Sequence, residues 1–253
     1  ARQVGAEVVV VDVGVAGDVS AVEGVLSRKV RRGTRDLAVE DAMTQDEARQ
    51  AIEVGIEVTR ELVAAGNRCL LVGDMGIANT TASAALVAAY TQSKVLEVTG
   101  RGTGVDDDTW RLKVDVVAAA LAHRPPNRDD PLATLASLGG LEHAAIAGFV
   151  LGAAAARVPV VLDGAIAGAA ALAAARLSPH AVDYCIAGHR SVEPGHHVAL
   201  SSLGLRPLVD LDLRLGEGSG AVLALPLVQA AVRVLREMAT FDSAGITEKD
   251  DVG

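Results

Sequence analysis

One carboxylate lies where it could act as a base. Glu217 lies between two glycines in LRLGEGSGAVLALPLVQAAVRVL, residues 213–235, where a turn leads into a long apolar helix. Partial burial beside apolar neighbours such as Leu215 would raise its pKa towards neutrality, so that it could take a proton from a nucleophile over the glycines. A capping role for the same carboxylate is the other interpretation. Because Glu217 has no paired second acid, the two-carboxylate scheme of glycosidases is disfavoured.

The segment VGDMGIANTTASAAL, residues 72–86, could bind an anion. Gly73 and Gly76 permit close backbone approach, and Asn79, Thr80 and Thr81 are candidate helix caps. A strand, a glycine turn and a helix N-terminus in succession are typical of phosphate sites. A capped helix after a tight turn is the alternative. The segment does not contain the P-loop pattern, which disfavours hydrolysis of nucleoside triphosphates.

Three further segments carry candidate polar groups. TGRGTGVDDDTWRLK, residues 99–113, departs from the dinucleotide fingerprint, but Lys113 follows the turn and could reach a phosphate, or else face solvent. In AGHRSVEPGHH, residues 187–197, Ser191 could bind phosphate, and the histidines match no zinc signature, so no metal is predicted. LDGAIAG, residues 162–168, places Asp163 and Gly164 at a strand end. Phosphate sites with one base indicate transfer from a sugar phosphate to a nucleophile.

The elements that must position these groups alternate along the chain. Short Val- and Ile-rich runs predict strands at 6–15, 68–73, 94–100, 158–164, 182–188 and 205–213, with helices between most of them. A capping box at Thr44 and Glu47 predicts the start of the first long helix. Repeated strand–loop–helix units predict an α/β fold with a doubly wound, mostly parallel sheet. Ligands bind such sheets at the carboxyl ends of the strands, where the glycine segments fall.

Composition limits the classes of function. The chain has 253 residues, of which 50% are hydrophobic and 2% aromatic, so its core must be built mainly from Ala, Val and Leu. The net charge of −9, with a basic cluster at 27–35 that has no aromatic residues, disfavours nucleic acid as a partner.

The Ala- and Gly-rich region 144–177 is interrupted by Arg157 and Asp163, which predicts a buried core and no membrane partner. Cys69 and Cys185 are predicted to be reduced core thiols of a cytoplasmic protein.

Five segments in order closely resemble one enzyme family. GDMGIANTTASAAL, TGRGTGVDD, VPVVLDG, HRSVEPGH and LRLGEGSGAVLALPLVQAA are similar to segments of the nicotinate-nucleotide:dimethylbenzimidazole phosphoribosyltransferases, and the resemblance extends from Ala1 to about Ile246. It implies transfer of phosphoribose from nicotinate mononucleotide to 5,6-dimethylbenzimidazole. The implied products are α-ribazole 5′-phosphate and nicotinate, in the lower-ligand branch of cobalamin biosynthesis.

The resemblance also implies roles for single residues. Glu217 is the expected general base, which takes the benzimidazole N–H proton. The expected substrate-binding residues are Asp74, Gly76, Asn79, Lys113, Asp163, Gly164, Ser191, Arg214 and Leu215. Of these, Gly76, Lys113, Gly164 and Ser191 are expected at the phosphate and ribose, with Asp74 and Asn79 along the ribose. No cofactor and no metal are expected, because the pyridinium leaving group is already cationic.

The resemblance implies a cytoplasmic homodimer with a Rossmann-like domain, here residues 1–240. The tail, residues 241–253, is expected to join a small helical domain formed from the chain ends. Two departures stand out. The family motif more often reads GEMGIGNTT, whereas this chain has Asp74 and Ala78. The family's chains also begin upstream of ARQVGAE, so weak binding of the acceptor base is expected. A truncated nucleotide-binding module with little or no turnover is the alternative.

Overall fold

Parallel strands form the frame of the protein, whose computed structural model describes residues 1–102, 104–127, 129–241 and 243–245. Within those residues every strand pair is parallel. The strands are β1 Val10–Asp12, β2 Val25–Ser27, β3 Leu70–Leu71, β4 Val160–Leu162, β5 Cys185–Ala187, β6 His189–Ser191 and β7 Val209–Leu213. The pairings are β1 with β2, β3 with β4 with β5, and β6 with β7. The predicted α/β class with parallel strands is confirmed.

Gly188 lies between β5 and β6. It therefore connects the sheet of β3, β4 and β5 to the sheet of β6 and β7. Its N–H donates to the Leu162 carbonyl over 2.9 Å, and its carbonyl accepts from the Val209 N–H over 3.1 Å. A Cβ at this position would lie 2.7 Å from the Leu162 carbonyl oxygen and 2.9 Å from the Ala221 Cα. Glycine is therefore needed where the helix Ser219–Glu237 packs against the sheet.

Helices fill the intervals between the strands. They are α1 Gln45–Ala64, α2 Asn79–Thr91, α3 Val95–Val98, α4 Asp107–His123, α5 Pro131–Leu138, α6 Leu141–Ala156, α7 Ala165–Leu177, α8 Pro194–Leu203 and α9 Ser219–Glu237, with 3₁₀ turns at Arg2–Val4 and Pro179–Tyr184. The predicted capping box begins α1: the Glu47 N–H donates to Thr44 Oγ1 over 3.0 Å, and the Thr44 N–H donates to the Glu47 carboxylate over 2.7 Å. Such local signals act within one turn of helix, which is why the sequence reveals them.

The core depends on close approach between small residues. A Cβ at Gly55 would lie 1.9 Å from the Ala145 carbonyl oxygen, and one at Gly148 would lie 2.0 Å from the Ile52 carbonyl oxygen. These contacts bring the backbones of α1 and α6 together and explain how a chain with so few aromatic residues fills its interior. The Ala-rich α6 and α7 both contribute to this core, as composition predicted.

One strand prediction was wrong, and another was right for only part of its range. Residues 94–100 contain the short helix α3, because the Glu97 and Thr99 N–H groups bond within the segment, to Lys94 and Val95. Residues 6–15 contain only the three-residue β1, and Val8 is 69% exposed. Among the described strands β1 pairs with β2 alone, and Val9 and Val10 are about half exposed.

The predicted free thiols are present: Cys185 is buried and Cys69 is half-buried. Burial raises the pKa of the Cys185 thiol to about 12. Most of the predicted tail, residues 241–253, lies outside the described residues, and the small helical domain stays a prediction.

One described helix, Ser219–Glu237, is long and apolar enough to cross a membrane if judged by length and composition alone. Its first half buries Gly220, Ala221, Ala224 and Leu225. Leu227 and Leu235, further along, are exposed.

Candidate active site

The turn that carries Glu217 has an unusual backbone. Gly216, Glu217 and Gly218 have φ angles of +79°, +58° and +77°, so three successive residues adopt the left-handed conformation. Glycine adopts it freely, whereas a residue with a side chain loses roughly 1–2 kcal/mol there. A glutamate with a left-handed backbone at this place is therefore a candidate functional residue.

The end of β3 packs directly on this turn. A Cβ at Gly73 would lie 2.4 Å from the Gly218 nitrogen and 2.8 Å from the Glu217 carbonyl carbon. The Glu217 N–H also donates to the Asp74 carbonyl over 3.1 Å. The close backbone approach predicted at Gly73 is therefore an approach to the Glu217 turn.

The surroundings of the Glu217 carboxylate differ from those expected. Its side chain is exposed, and Leu215 is 70% exposed. The expectation that Leu215 would help to bury the carboxylate is therefore wrong, because both side chains extend from the turn and not into the sheet beneath it. Arg214, predicted to bind substrate, is exposed beside them. Glu217 and its two neighbours are therefore open to an incoming molecule.

Asp163, at the end of β4, holds the start of α9. Its Oδ2 accepts the Gly218 N–H over 3.0 Å, and its Oδ1 accepts those of Gly220 and Ala221 over 2.8 and 3.1 Å. The residue is 3% exposed. Burial alone would raise its pKa, but the His189 imidazole and the backbone N–H groups outweigh burial and lower it. The predicted substrate contact of Asp163 stays a prediction, since the carboxylate is engaged with backbone.

His189 lies behind the same helix start. Its Nε2 is 3.4 Å from Asp163 Oδ1, and its ring is buried. A Cβ at Gly220 would lie 1.9 Å from His189 Cδ2, so only glycine fits there. The sequence showed His189 in a histidine-rich segment, but not its contact with α9.

Asp74, Gly76 and Asn79 form one loop between β3 and α2. Asp74 Oδ2 accepts the Gly76 N–H over 2.8 Å and the Asn79 side-chain amide over 2.7 Å. The predicted side-chain caps at Asn79, Thr80 and Thr81 are wrong, since α2, all of whose residues are described, has no side-chain cap hydrogen bond. The first N–H groups of α2 therefore remain open beside the loop.

Lys113 ties α4 to two glycine-rich segments. Its Nζ donates to Thr80 Oγ1 over 2.8 Å and to the Gly100 carbonyl over 3.0 Å. Burial lowers the pKa of Lys113, while the nearby Glu193 carboxylate acts to raise it. Glu193 also accepts the Gly102 N–H over 2.8 Å. The sequence pointed to Lys113 but missed Glu193 as the residue that holds this loop.

Ser191 and Gly164 meet beside His189. A Cβ at Gly164 would lie 3.6 Å from His189 Nε2 and 3.9 Å from the Ser191 Cβ. Gly164 is the N-cap residue of α7, and no side chain among the described residues caps the first N–H groups of that helix. The buried Ser191 N–H donates to His196 Nδ1 over 3.0 Å. Burial, and next the neighbouring His189, lowers the pKa of His196 to about 3, so that this ring is neutral.

The structure thus gathers most predicted residues at the carboxyl ends of the strands. Asp74 follows β3, Asp163 and Gly164 follow β4, Ser191 ends β6, and Glu217 follows β7. Direct bonds link the Glu217 turn to the first two of these strand ends. Within the part of the chain that the structure describes, no group of three or more His, Cys, Asp or Glu side chains is arranged to hold a metal ion. The arrangement offers one exposed carboxylate, that of Glu217, beside several N–H-rich turns, which suits proton removal next to a bound anion.

Comparison with known proteins places this geometry in context. A family model described as "Phosphoribosyltransferase" matches residues 1–246. The nicotinate-nucleotide–dimethylbenzimidazole phosphoribosyltransferase of Salinispora tropica is 58% identical, over 98% of this chain and 72% of the relative. The protein of the same name from Chloroflexus aggregans is 57% identical, over 99% of this chain and 71% of the relative. The crystal structure of CobT from Thermus thermophilus superposes with a TM-score of 0.89 at 50% identity, over 94% of this chain and 71% of that one.

Proposed function

The chain belongs to the phosphoribosyltransferase family, and we propose on that basis that it transfers phosphoribose from nicotinate mononucleotide to 5,6-dimethylbenzimidazole. The products are α-ribazole 5′-phosphate and nicotinate, and the reaction belongs to the assembly of the lower ligand of cobalamin. The name shared by the Salinispora and Chloroflexus relatives supports both substrates. The observation that carries the proposal is the Glu217 turn, where a glutamate is kept in a backbone conformation that favours glycine.

Glu217 is the proposed general base. Its carboxylate takes the proton from the benzimidazole N–H, while the other ring nitrogen forms a bond to C1′ of the ribose. The bond from C1′ to the pyridinium nitrogen breaks, and its electron pair neutralises that nitrogen to release nicotinate. Attack from the face opposite nicotinate converts a β-nucleotide into an α product. An acceptor lying over the exposed carboxylate would displace water from it and strengthen it as a base.

The phosphate is proposed to lie between Lys113, Ser191 and the start of α7 at Gly164. The cation of Lys113 and the unpaired N–H groups at a helix N-terminus both favour an anion. Asp74 and Asn79 are proposed to lie along the ribose, since their loop is bonded to the Glu217 turn. Binding both ends of the nucleotide would position C1′ near the base and lower the entropic part of the barrier. Arg214 and Leu215 are proposed acceptor contacts on the same turn.

The test is a product assay on this chain with both substrates. Chromatography should detect α-ribazole 5′-phosphate from the parent protein. Glu217→Gln should retain affinity for the nucleotide but lose about 10²- to 10⁴-fold in turnover, as expected on removal of a general base. Glu237→Gln, at the exposed far end of α9, is the matched control and should retain parental turnover. Unchanged turnover in Glu217→Gln would remove that residue from the mechanism. Nucleotide binding without product from the parent would favour the binding module instead.

A cytoplasmic homodimer is proposed as the working form. The free cysteines support a reducing compartment, and the exposed apolar residues of α9, such as Leu227 and Leu235, support burial against a second chain. Light scattering after size-exclusion chromatography tests the oligomeric state. The division into residues 1–240 and a tail that joins a small helical domain is likewise a proposal.

A further inference from the structure

We propose that Asp163 is a positioning residue, which fixes Glu217 by holding the backbone on its C-terminal side. The inference rests on the proposed role of Glu217 as the base. It differs from the direct substrate contact that the resemblance implied for Asp163. The supporting observation is that both carboxylate oxygens accept backbone N–H groups from the three residues Gly218, Gly220 and Ala221.

The Glu217 turn needs such support because it is strained. Glu217 carries the strain, because it is the only one of the three left-handed residues with a side chain, and such a residue persists only when the surrounding structure determines its conformation. On one side the Glu217 N–H is bonded to the Asp74 carbonyl. On the C-terminal side of Glu217, the Gly218 N–H donates to Asp163 Oδ2. Asp163 therefore holds the residue that directly follows the base.

The charge of Asp163 strengthens this support. A buried carboxylate that accepts several N–H groups forms charge-assisted hydrogen bonds, and it also complements the positive end of the α9 dipole. The buried His189 ring lies next to Asp163, with its Nε2 3.4 Å from Asp163 Oδ1. Neither ring nitrogen of His189 has a hydrogen-bond partner among the described residues, and its Nε2 lies within salt-bridge distance of the Asp163 carboxylate. Its ring also packs against Gly220 and limits movement of the helix start.

Loss of this support should displace the base without disturbing the phosphate site. In Asp163→Asn the new side chain keeps the shape of the aspartate, but an NH₂ group replaces one of its two oxygens. That group can only donate, so a backbone N–H at the start of α9 would lose its acceptor. The turn would then relax from its strained conformation and move the Glu217 carboxylate. A displacement of about 1 Å in a reacting group can reduce the rate roughly 10²-fold. Lys113 and Ser191 are held by other contacts and should continue to bind nucleotide.

A double-mutant cycle separates positioning from substrate contact. Asp163→Asn should reduce kcat about 10- to 100-fold while the Kd for nicotinate mononucleotide changes less than about threefold. Combined with Glu217→Gln, it should cost no more than about a further twofold, because the residue it positions is already disabled. Additive losses, or nucleotide binding weakened more than about tenfold, would overturn the proposal. Asp130→Asn is the matched control: Asp130 caps α5 by accepting the Ala133 N–H over 2.9 Å, away from the site.

Amide hydrogen exchange measured by NMR tests the same role without turnover. Asp163→Asn should speed exchange at Gly218, Gly220 and Ala221 more than about tenfold and leave Ala133 unchanged. Unchanged exchange at the three amides would overturn the proposal. An inactive parent protein would count against the proposed function alone, since the exchange experiment still decides the role of Asp163. If Asp163→Asn does not fold, His189→Gln replaces it, and it should produce a smaller increase at the same amides; no increase there would also overturn the proposal.

Discussion

The backbone N–H of Glu217 donates to the backbone carbonyl of Asp74 over 3.1 Å. This bond joins the turn after β7 to the loop after β3, two segments far apart in the chain. Each segment carries a proposed function, proton removal at Glu217 and ribose binding at Asp74. The bond therefore ties the position of the proposed base to the position of the proposed ribose site.

Asp74→Asn should weaken nucleotide binding. The Asp74 carboxylate accepts both the Gly76 N–H and the Asn79 amide, and an asparagine there would place a donor against one of them. We expect KM for nicotinate mononucleotide to rise about 3- to 10-fold, with a smaller change in kcat. Steady-state kinetics at saturating acceptor measures both. Asp74→Glu, the residue more common in the family motif, is the control and should retain activity. An unchanged KM in Asp74→Asn would argue against a nucleotide contact through this loop.

Ala78→Gly should stabilise the protein. Ala78 has a φ angle of +63°, a conformation that glycine adopts at little cost and alanine does not. Relief of that strain exceeds the added entropy of glycine in the unfolded chain, which leaves a gain of about 0.5 kcal/mol. Urea unfolding should show a higher midpoint with the same slope. Ala82→Gly, inside α2, is the opposite control and should lower stability by about 1 kcal/mol. A lower midpoint for Ala78→Gly would contradict the strain at this residue.

Lys113 should make nucleotide binding sensitive to alkaline pH. Burial lowers its pKa below the ordinary value of 10.5. The cation that is proposed to attract phosphate is therefore lost at a lower pH than for an exposed lysine, and affinity should fall as pH rises through that lowered pKa. Calorimetric titration of nicotinate mononucleotide between pH values of about 7 and 10 measures the effect. Lys113→Arg should remove the alkaline fall because a guanidinium stays charged, and Lys113→Met should weaken binding at least about tenfold throughout. Equal affinity in Lys113→Met and the parent would exclude a phosphate contact.

Asp163 should contribute stability that depends on acid pH. Its pKa in the folded protein is lowered below the ordinary value of 3.8. The folded state therefore favours the ionised form, and the stabilisation is fully present above that value and lost as pH falls through the lower, folded pKa. Urea unfolding of the parent and Asp163→Asn should show their largest difference above a pH of about 4 and a shrinking difference in more acidic buffers. A difference that is constant across this range would show that the charge does not stabilise the fold.

Signals that act over a few residues could be interpreted from the sequence. The capping box at Thr44 and Glu47 forms as predicted, and Asp106 caps α4 in a similar way, because each links groups three residues apart. The alternation of strands and helices predicted the parallel α/β class. It also placed the glycine turns at the strand ends, where Asp74, Asp163 and Glu217 are found. The unusual setting of Glu217 between two glycines was likewise visible without a structure.

Only the tertiary structure decided which of these groups bond to one another. The attachment of Asp163 to α9, and of Glu193 to Gly102, joins residues far apart in the chain, and no local pattern encodes those pairs. Residues 95–98 form a helix where the short segment packs against α2, α4 and α8, and no described strand pairs with it. Glu217 is exposed because its turn lies on the surface of the packed strand ends. The sequence by itself determined the residue types, the turns and the class of fold, since those depend on near neighbours. The partners of buried polar groups depend on how the whole chain packs, and only the folded structure reveals them.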